Sequence, residues 1–405
     1  MSKSKVPIKK VNPESKRTSV WQYLFSRDTL LATILVFIVI FTFAKLENAI
    51  GLFDPKDITA KDFDYNDLAF NLLSKYKNVS VDTNTYLVNI GNMDRRQIAG
   101  VINKVNKARP KVIGVDVLFD HHESASQDSA LATVFRANRQ VVAGYQLDSS
   151  KQPKGNVFMI TGGKKGYVNF TLGSQNVIRQ FNPYIVDGDT SLSFSAAVVK
   201  AFDPKKYKTL LARSGPAETI NYTGTEDKFI IIDGSSDKAD FRIARDKIVL
   251  IGTIDTGSNF EDKHFTPLNA KFTGKSLPDL SGVVIQANIV RMMMDKNYVN
   301  HWNMGLNWFL AFVLCWIHMA FFISYFIEKH VWFHLAAKLA QLVSTVFFVF
   351  LGLFLFYDFN EQIDMSGALI AIILAVDVLY FYEAGVVWLH RKKGYKTLFH
   401  YDYAN

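Results

Sequence analysis

The sequence predicts an α/β protein with a mostly parallel sheet and flanking helices, set outside the cytoplasm between four transmembrane helices, one before it and three after. Three observations carry that prediction. Four apolar runs are long enough to cross a bilayer, basic residues flank them in a consistent pattern, and the text between the first and second runs alternates between strand-like and helix-like pieces.

A bilayer core of ~30 Å takes about 20 apolar residues as helix. The first run, Leu30–Ala44, lies in a span expected at 29–45, with Lys45 placed to snorkel. The others are expected at 304–327, 333–357 and 366–389, with Trp302, Trp308, Trp332 and Trp388 near their ends as an interfacial belt. The first run lacks a small-x-small cleavage site, so a signal anchor fits better than a cleaved leader.

Lys and Arg set the orientation. The tail 1–28 holds Lys3, Lys5, Lys9, Lys10, Lys16, Arg17 and Arg27, and the tail 390–405 holds Arg391, Lys392, Lys393 and Lys396. Lys329 lies between the second and third spans, whereas the turn between the third and fourth has Asp358, Glu361 and Asp364 and no base. Both tails are therefore expected in the cytoplasm of a bacterial cell, the chain in the inner membrane, and residues 46–300 in the periplasm or outside. The net charge of +9 fits this topology and contact with membrane lipid, so no nucleic-acid partner is expected. The single cysteine, Cys315, excludes an intrachain disulfide.

The middle region reads in order as follows. Val79–Ile90 contains the β-rich TYLVNI, Met93–Ala108 is helix-like with Ile98, Val101, Ile102 and Val105 on one face, and Pro110 ends it. Val112–Phe119 (VIGVDVLF) is a near-continuous apolar run, as in a strand buried on both faces. A helix at Asp128–Asn138 and a strand at Gln140–Tyr145 follow, with later strands at Tyr167–Phe170, Phe229–Ile232 and Ile248–Gly252. Further helices are expected at Leu192–Ala201 and after Ser281.

The richest polar cluster follows VIGVDVLF: Asp116, Asp120, His121, His122, Glu123 and Asp128. In an open parallel sheet, ligands bind beyond the carboxyl ends of strands. The loop after IVLIGT adds Asp255, Asp262 and His264, and the two loops face each other if their strands are neighbours. Carboxylates and imidazoles there could bind a ligand or hold a divalent metal at the Asp116/Asp120/Asp262 loops; the simpler expectation is solvated loops with capping residues and no cofactor. Asp116 is the sharpest member, because a carboxylate inside an apolar strand needs partners. Within the spans, Asp377 and His318 fall at similar depth and could pair, as could Glu383 and Lys338. Such residues mark a structural contact, a partner's docking site or an ion path.

Enzyme signatures are missing: there is no G-x-x-x-x-G-K-[ST], H-E-x-x-H, G-x-S-x-G or C-x-x-C, and a non-enzymatic protein is expected.

The order of several segments resembles the second class of CHASE domain, the cyclase/histidine-kinase-associated sensory extracellular domain. They are VIGVDVLF at Val112–Phe119, the acid Asp128 in QDSALATVF, GYVNF at Gly166–Phe170 with Ile178 and Arg179, and SFSAAVV at Ser193–Val199. INYTG at Ile220–Gly224, KIVLIGT at Lys247–Thr253, Asp262 with Thr266-Pro267, and GVVIQAN at Gly282–Asn288 complete the set. The resemblance covers residues 60–300 and the helix arrangement, and it implies an outward-facing sensory domain. Members often have a His in the last motif, where this chain has Gln286. They typically carry an output domain after the last helix; here only residues 390–405 follow, so the output is expected from other membrane or cytoplasmic proteins, with a second copy of the chain also a candidate partner. The functions expected are a sensor or complex subunit, a scaffold of an envelope complex, or, third, an ion or proton pathway through Asp377.

Overall fold

The computed structural model describes residues 20–50, 67, 69–70, 79–158, 163–172, 176–213, 215–255, 262–269 and 277–399. The bases Lys3 to Arg17 lie outside the described residues. The chain divides into two units, 59–300 and a second made of 1–58 with 301–405.

The 59–300 unit is built on a parallel-rich sheet. Its strands are β1 (Asp82–Asn89), β2 (Val112–Val115), β3 (Val141–Leu147), β4 (Pro153–Lys154), β5 (Lys164–Tyr167), β6 (Phe229–Asp233) and β7 (Ile248–Gly252). The order is β6-β1-β7-β2-β3-β4, with β5 also on β3, and every pairing but β3–β4 is parallel. Period-two alternation sorts each central strand between two faces. Tyr86, Val88, Ile113, Val115, Val249 and Ile251 join one core. Helices Arg95–Lys107 and Ala125–Ala137 cover that face. Helices Phe194–Phe202 and Gly282–Asp295 pack on the other.

Local chemistry explains where these helices begin. Asp94 caps Arg95–Lys107, its side chain accepting from the Gln97 amide while the Gln97 side chain accepts from the Asp94 amide. Ser124 and Ser193 cap the next two by the same logic. Helix Gly282–Asp295 is buried all round from Val283 to Met293, so it is a core helix with three polar members, Gln286, Asn288 and Arg291. Full burial of each large apolar side chain here stabilises the fold by roughly 1.5–3 kcal/mol.

Two expectations change. The VIGVDVLF run is strand only over Val112–Val115, so Asp116 is the first residue beyond the strand and not inside it. The strand expected at 167–170 lies instead at Lys164–Tyr167, because Gly166 must abut the capped start of helix Phe194–Phe202. A Cβ at Gly166 would sit 2.5 Å from Phe194 Cα.

The second unit holds four helices long and apolar enough to cross a membrane: Arg27–Leu46, Met304–Glu328, His330–Phe359 and Ser366–Lys393. Small residues at the contacts, Ala32, Cys315, Ala371 and Ala375, let the backbones approach closely. Helix Arg27–Ile50 packs on Met304–Glu328 and Ser366–Lys393. The third leaves a broad apolar face exposed, including Leu335, Leu342, Phe347 and Phe350. Asp28, buried, accepts hydrogen bonds from Tyr382 Oη at 2.7 Å, Thr397 Oγ1 at 3.0 Å and the Leu398 amide at 2.6 Å. The start of the first helix and the segment after the last therefore meet at one end of the bundle. Phe399 is buried there against Phe326 and Tyr382, so residues 394–399 pack on the helices and do not form a free tail.

Candidate functional site

The carboxyl edge of the sheet gathers the loops after β1, β2 and β7. Strand β7 lies between β1 and β2, with Ile251 in register with Val115 and Gly252 with Asn89. The two candidate loops are therefore neighbours, which meets the condition under which they would face each other. The Asn89 side chain fixes the β7 exit, accepting from the Ile254 amide at 2.9 Å and donating to the Ile254 carbonyl at 3.0 Å. The Asp255 amide donates to Ser281 Oγ at 3.2 Å, tying the same loop to the start of helix Gly282–Asp295.

Asp116 and Asp262 come from these two loops and repel each other. Burial first, and the Asp262 charge second, push the Asp116 carboxyl up to about 7. No described residue forms an ion pair with either carboxylate. His264 lies two residues from Asp262, half-buried, with its ring edge-on to Phe170 at 5.2 Å. Burial lowers its affinity for a proton, and Asp262 partly opposes that. A short antiparallel ladder, Lys263–His264 with Leu280–Ser281, holds this loop in place. The Ile178 amide donates to the Phe265 carbonyl at 2.9 Å and pins its far side. Asp279 sits beneath it, accepting from the Thr266 amide at 2.8 Å and Thr266 Oγ1 at 2.6 Å; burial nonetheless pushes its carboxyl up to about 6.

The acidic cluster after β2 does not form one site. Asp128 accepts from Arg95 Nη1 at 2.6 Å, lies 3.0 Å from His122 Nδ1, and accepts from the Glu123 amide at 3.0 Å. Desolvation opposes ionisation of Asp128, but those bonds together hold its carboxyl below the usual range. Arg95 is buried between the Phe119 and Phe158 rings and also donates to the His121 carbonyl at 2.6 Å. Its guanidinium is the strut that shapes the 119–128 loop. Asp120 and His121 pair with each other at 2.5 Å on the exposed surface. Among the described residues, no three His, Cys, Asp or Glu side chains are grouped to hold a metal ion, and Asp120 does not join Asp116 and Asp262.

Arg95 was not singled out by sequence reasoning, yet a signal exists. It stands three residues before Ile98 and seven before Ile102, on the apolar face of its helix, where an arginine must find a buried acid. Asp279 had no such signal, and Phe170 and Gly282, though they stand in the GYVNF and GVVIQAN segments, are placed near His264 only by the folded loop.

In the bundle, the His318–Asp377 pair that similar depth allowed does not form. His318 lies 2.7 Å from Ser344 Oγ and 2.7 Å from the Leu314 carbonyl, a nearer partner than any carboxylate. Lys338 and Glu383 likewise form no ion pair with each other. Asp377 and Lys338 both lie on the exposed surface of the bundle.

The family model of the CHASE2 domain matches residues 32–323, and the chain belongs to this family of extracellular sensory domains. No curated protein and no solved structure gives a match to it. Most of the sequence motifs behind the resemblance are seams of the fold. Ser195 donates to Gln286 across the two helices of one face. Asn288 accepts from the Thr223 amide at 2.8 Å and donates to the Gly224 carbonyl at 3.0 Å, joining GVVIQAN to INYTG. Tyr222 Oη donates to the Ile178 carbonyl at 2.8 Å, and Arg179 pairs with Asp67 at 2.6 Å. Gln286 is thus a buried helix–helix contact in this chain.

Proposed function

We propose that the protein is a membrane sensor whose 59–300 unit faces away from the cytoplasm and takes its signal at the carboxyl edge of the sheet. The observation that carries this reading is the juxtaposition of Asp116 and Asp262, two acids from loops after neighbouring strands, with no described cation between them. Such a pair is a standing electrostatic cost, and a bound cationic or proton-donating group relieves it. Occupancy would draw the 262–266 loop towards Asp116. That loop is laddered to Leu280–Ser281 at the start of helix Gly282–Asp295, and Met304, the first residue of the next long helix, follows nine residues after Asp295. A ligand acts only through the difference in its affinity for two arrangements of those elements. Membrane or cytoplasmic partner proteins docked on the bundle would carry the message onward.

Thermal unfolding of the full chain in mild detergent, screened against divalent cations, amines and envelope protein fractions, tests the reading. A stabilising shift with a small cation or amine that vanishes in both Asp116→Asn and Asp262→Asn supports it. Tight binding of an envelope protein with no response to any small molecule favours a scaffold instead. No response to either class overturns the assignment of this edge as an input site.

A further inference from the structure

Lys338 and Asp377 lie at one level on neighbouring helices of the bundle. Two contacts set that level. Gln341 Nε2 donates to the Ile372 and Ile373 carbonyls at 3.1 and 2.9 Å, and Tyr380 Oη lies 3.2 Å from His334 Nε2. Lys338 falls between His334 and Gln341 on one helix, and Asp377 falls between Ile373 and Tyr380 on the other. Both side chains are exposed, and neither forms an ion pair among the described residues. Around them the surface is apolar, with Leu335, Leu342, Ile370 and Ile373 exposed. An uncompensated lysine and aspartate on the hydrocarbon-facing side of a span are costly, and residues of this kind are almost always covered.

We infer that a second copy of this chain covers this face, with Asp377 of each copy against Lys338 of the other. The inference rests on the proposed membrane reading of these helices. A two-fold axis along the membrane normal carries every residue to the same depth in its partner. An isologous contact between an acid and a base is then self-complementary only if the two lie at one depth. Lys338 and Asp377 meet that condition, and each copy supplies one donor and one acceptor, so both charge pairs close at once. A lone helix of another protein would need its own acid and base at matching depth, whereas a second copy already has them.

The test exploits that reciprocity. The full chain is placed in native nanodiscs and its mass measured, and two variants, Asp377→Lys and Lys338→Asp, are made with different affinity tags. The wild type is expected as a dimer. Each variant alone presents like charges across the axis and is expected to dimerise about tenfold more weakly or worse. Co-expressed, the two variants are expected to co-purify as a heterodimer, because one carries two bases and the other two acids. Pairing within one chain predicts no such rescue, since both variants have lost it. A monomeric wild type in nanodiscs overturns the inference without recourse to any variant. Homodimers of Asp377→Lys at wild-type abundance overturn it too, as does failure of the two variants to co-purify. Protection of Ile317→Cys, exposed on the Met304–Glu328 helix and outside the proposed interface, from a water-soluble maleimide reports separately on whether these helices lie in the membrane, so failure of that reading is distinguishable from failure of the dimer.

Discussion

Arg95 donates a 2.6 Å hydrogen bond to Asp128, which ties the start of one helix to the first turn of the next and folds the 119–128 loop around a buried guanidinium. Loss of the arginine leaves Asp128, His122 and the Glu123 amide without their organising cation. Removing one member of such a pair costs far more than the pair contributes net. Arg95→Met is therefore expected to lower the melting temperature by several degrees, while Asp120→Asn, on the exposed surface, leaves it unchanged. Because the folded Asp128 carboxyl is held low, its contribution is fully present above the unfolded pKa and is lost as pH falls through the folded one. Melting curves of Asp128→Asn and wild type should accordingly converge in acid; parallel curves at all pH values would count against the pair.

Asp116 has the opposite sign. Its folded pKa is about 7 against an ordinary 3.8, so the folded state holds this proton more tightly than the unfolded chain does. Its contribution to stability falls as pH rises from about 4 to about 7 and is level above that. Asp116→Asn is expected to flatten that part of the pH profile and to stabilise the protein at neutral pH by on the order of 2–4 kcal/mol. Asp279, pushed up to about 6, adds a smaller slope of the same sign and remains in the variant. Denaturant unfolding of both proteins between pH 4 and 8 measures the difference. A variant as pH-dependent as the wild type would falsify the assignment.

Gly166 has no room for a side chain. A Cβ there would lie 2.5 Å from Phe194 Cα and 2.8 Å from the Ser193 carbonyl oxygen, both backbone atoms that cannot rotate away. Gly166→Ala is expected to cost about 1–3 kcal/mol or more through forced separation of β5 from helix Phe194–Phe202. Urea titration followed by tyrosine fluorescence would show it as a lowered midpoint.

Asn288 is bonded at both ends of its amide, to Thr223 and Gly224. Asn288→Leu keeps the volume but strands a buried backbone amide and a carbonyl, at about 2–3 kcal/mol. Hydrogen exchange should then accelerate at Thr223 and Gly224 before the rest of the domain. Unchanged protection there would show that another group replaces the side chain.

The sequence by itself determined the alternation of the middle region and the four apolar helices, because hydrophobic periodicity and length are local properties that survive without knowledge of neighbours. It also located the candidate loops, since Asp116 falls in one run that reads as a buried strand and Asp262 in the loop that follows another, although only the structure places Asp116 beyond the end of its strand. Partner choice belonged to the tertiary structure alone. Placing β7 between β1 and β2 brings Asp262 to Asp116, while helix packing sends Asp128 to Arg95 and His318 to Ser344. Charge and hydrogen-bond energies fall steeply over a few ångströms, so they are settled by which helix face and which strand neighbour a residue meets. Sequence spacing set Lys338 beside Glu383 and Asp377 beside His318, whereas the Gln341 and Tyr380 contacts put Lys338 and Asp377 at one level.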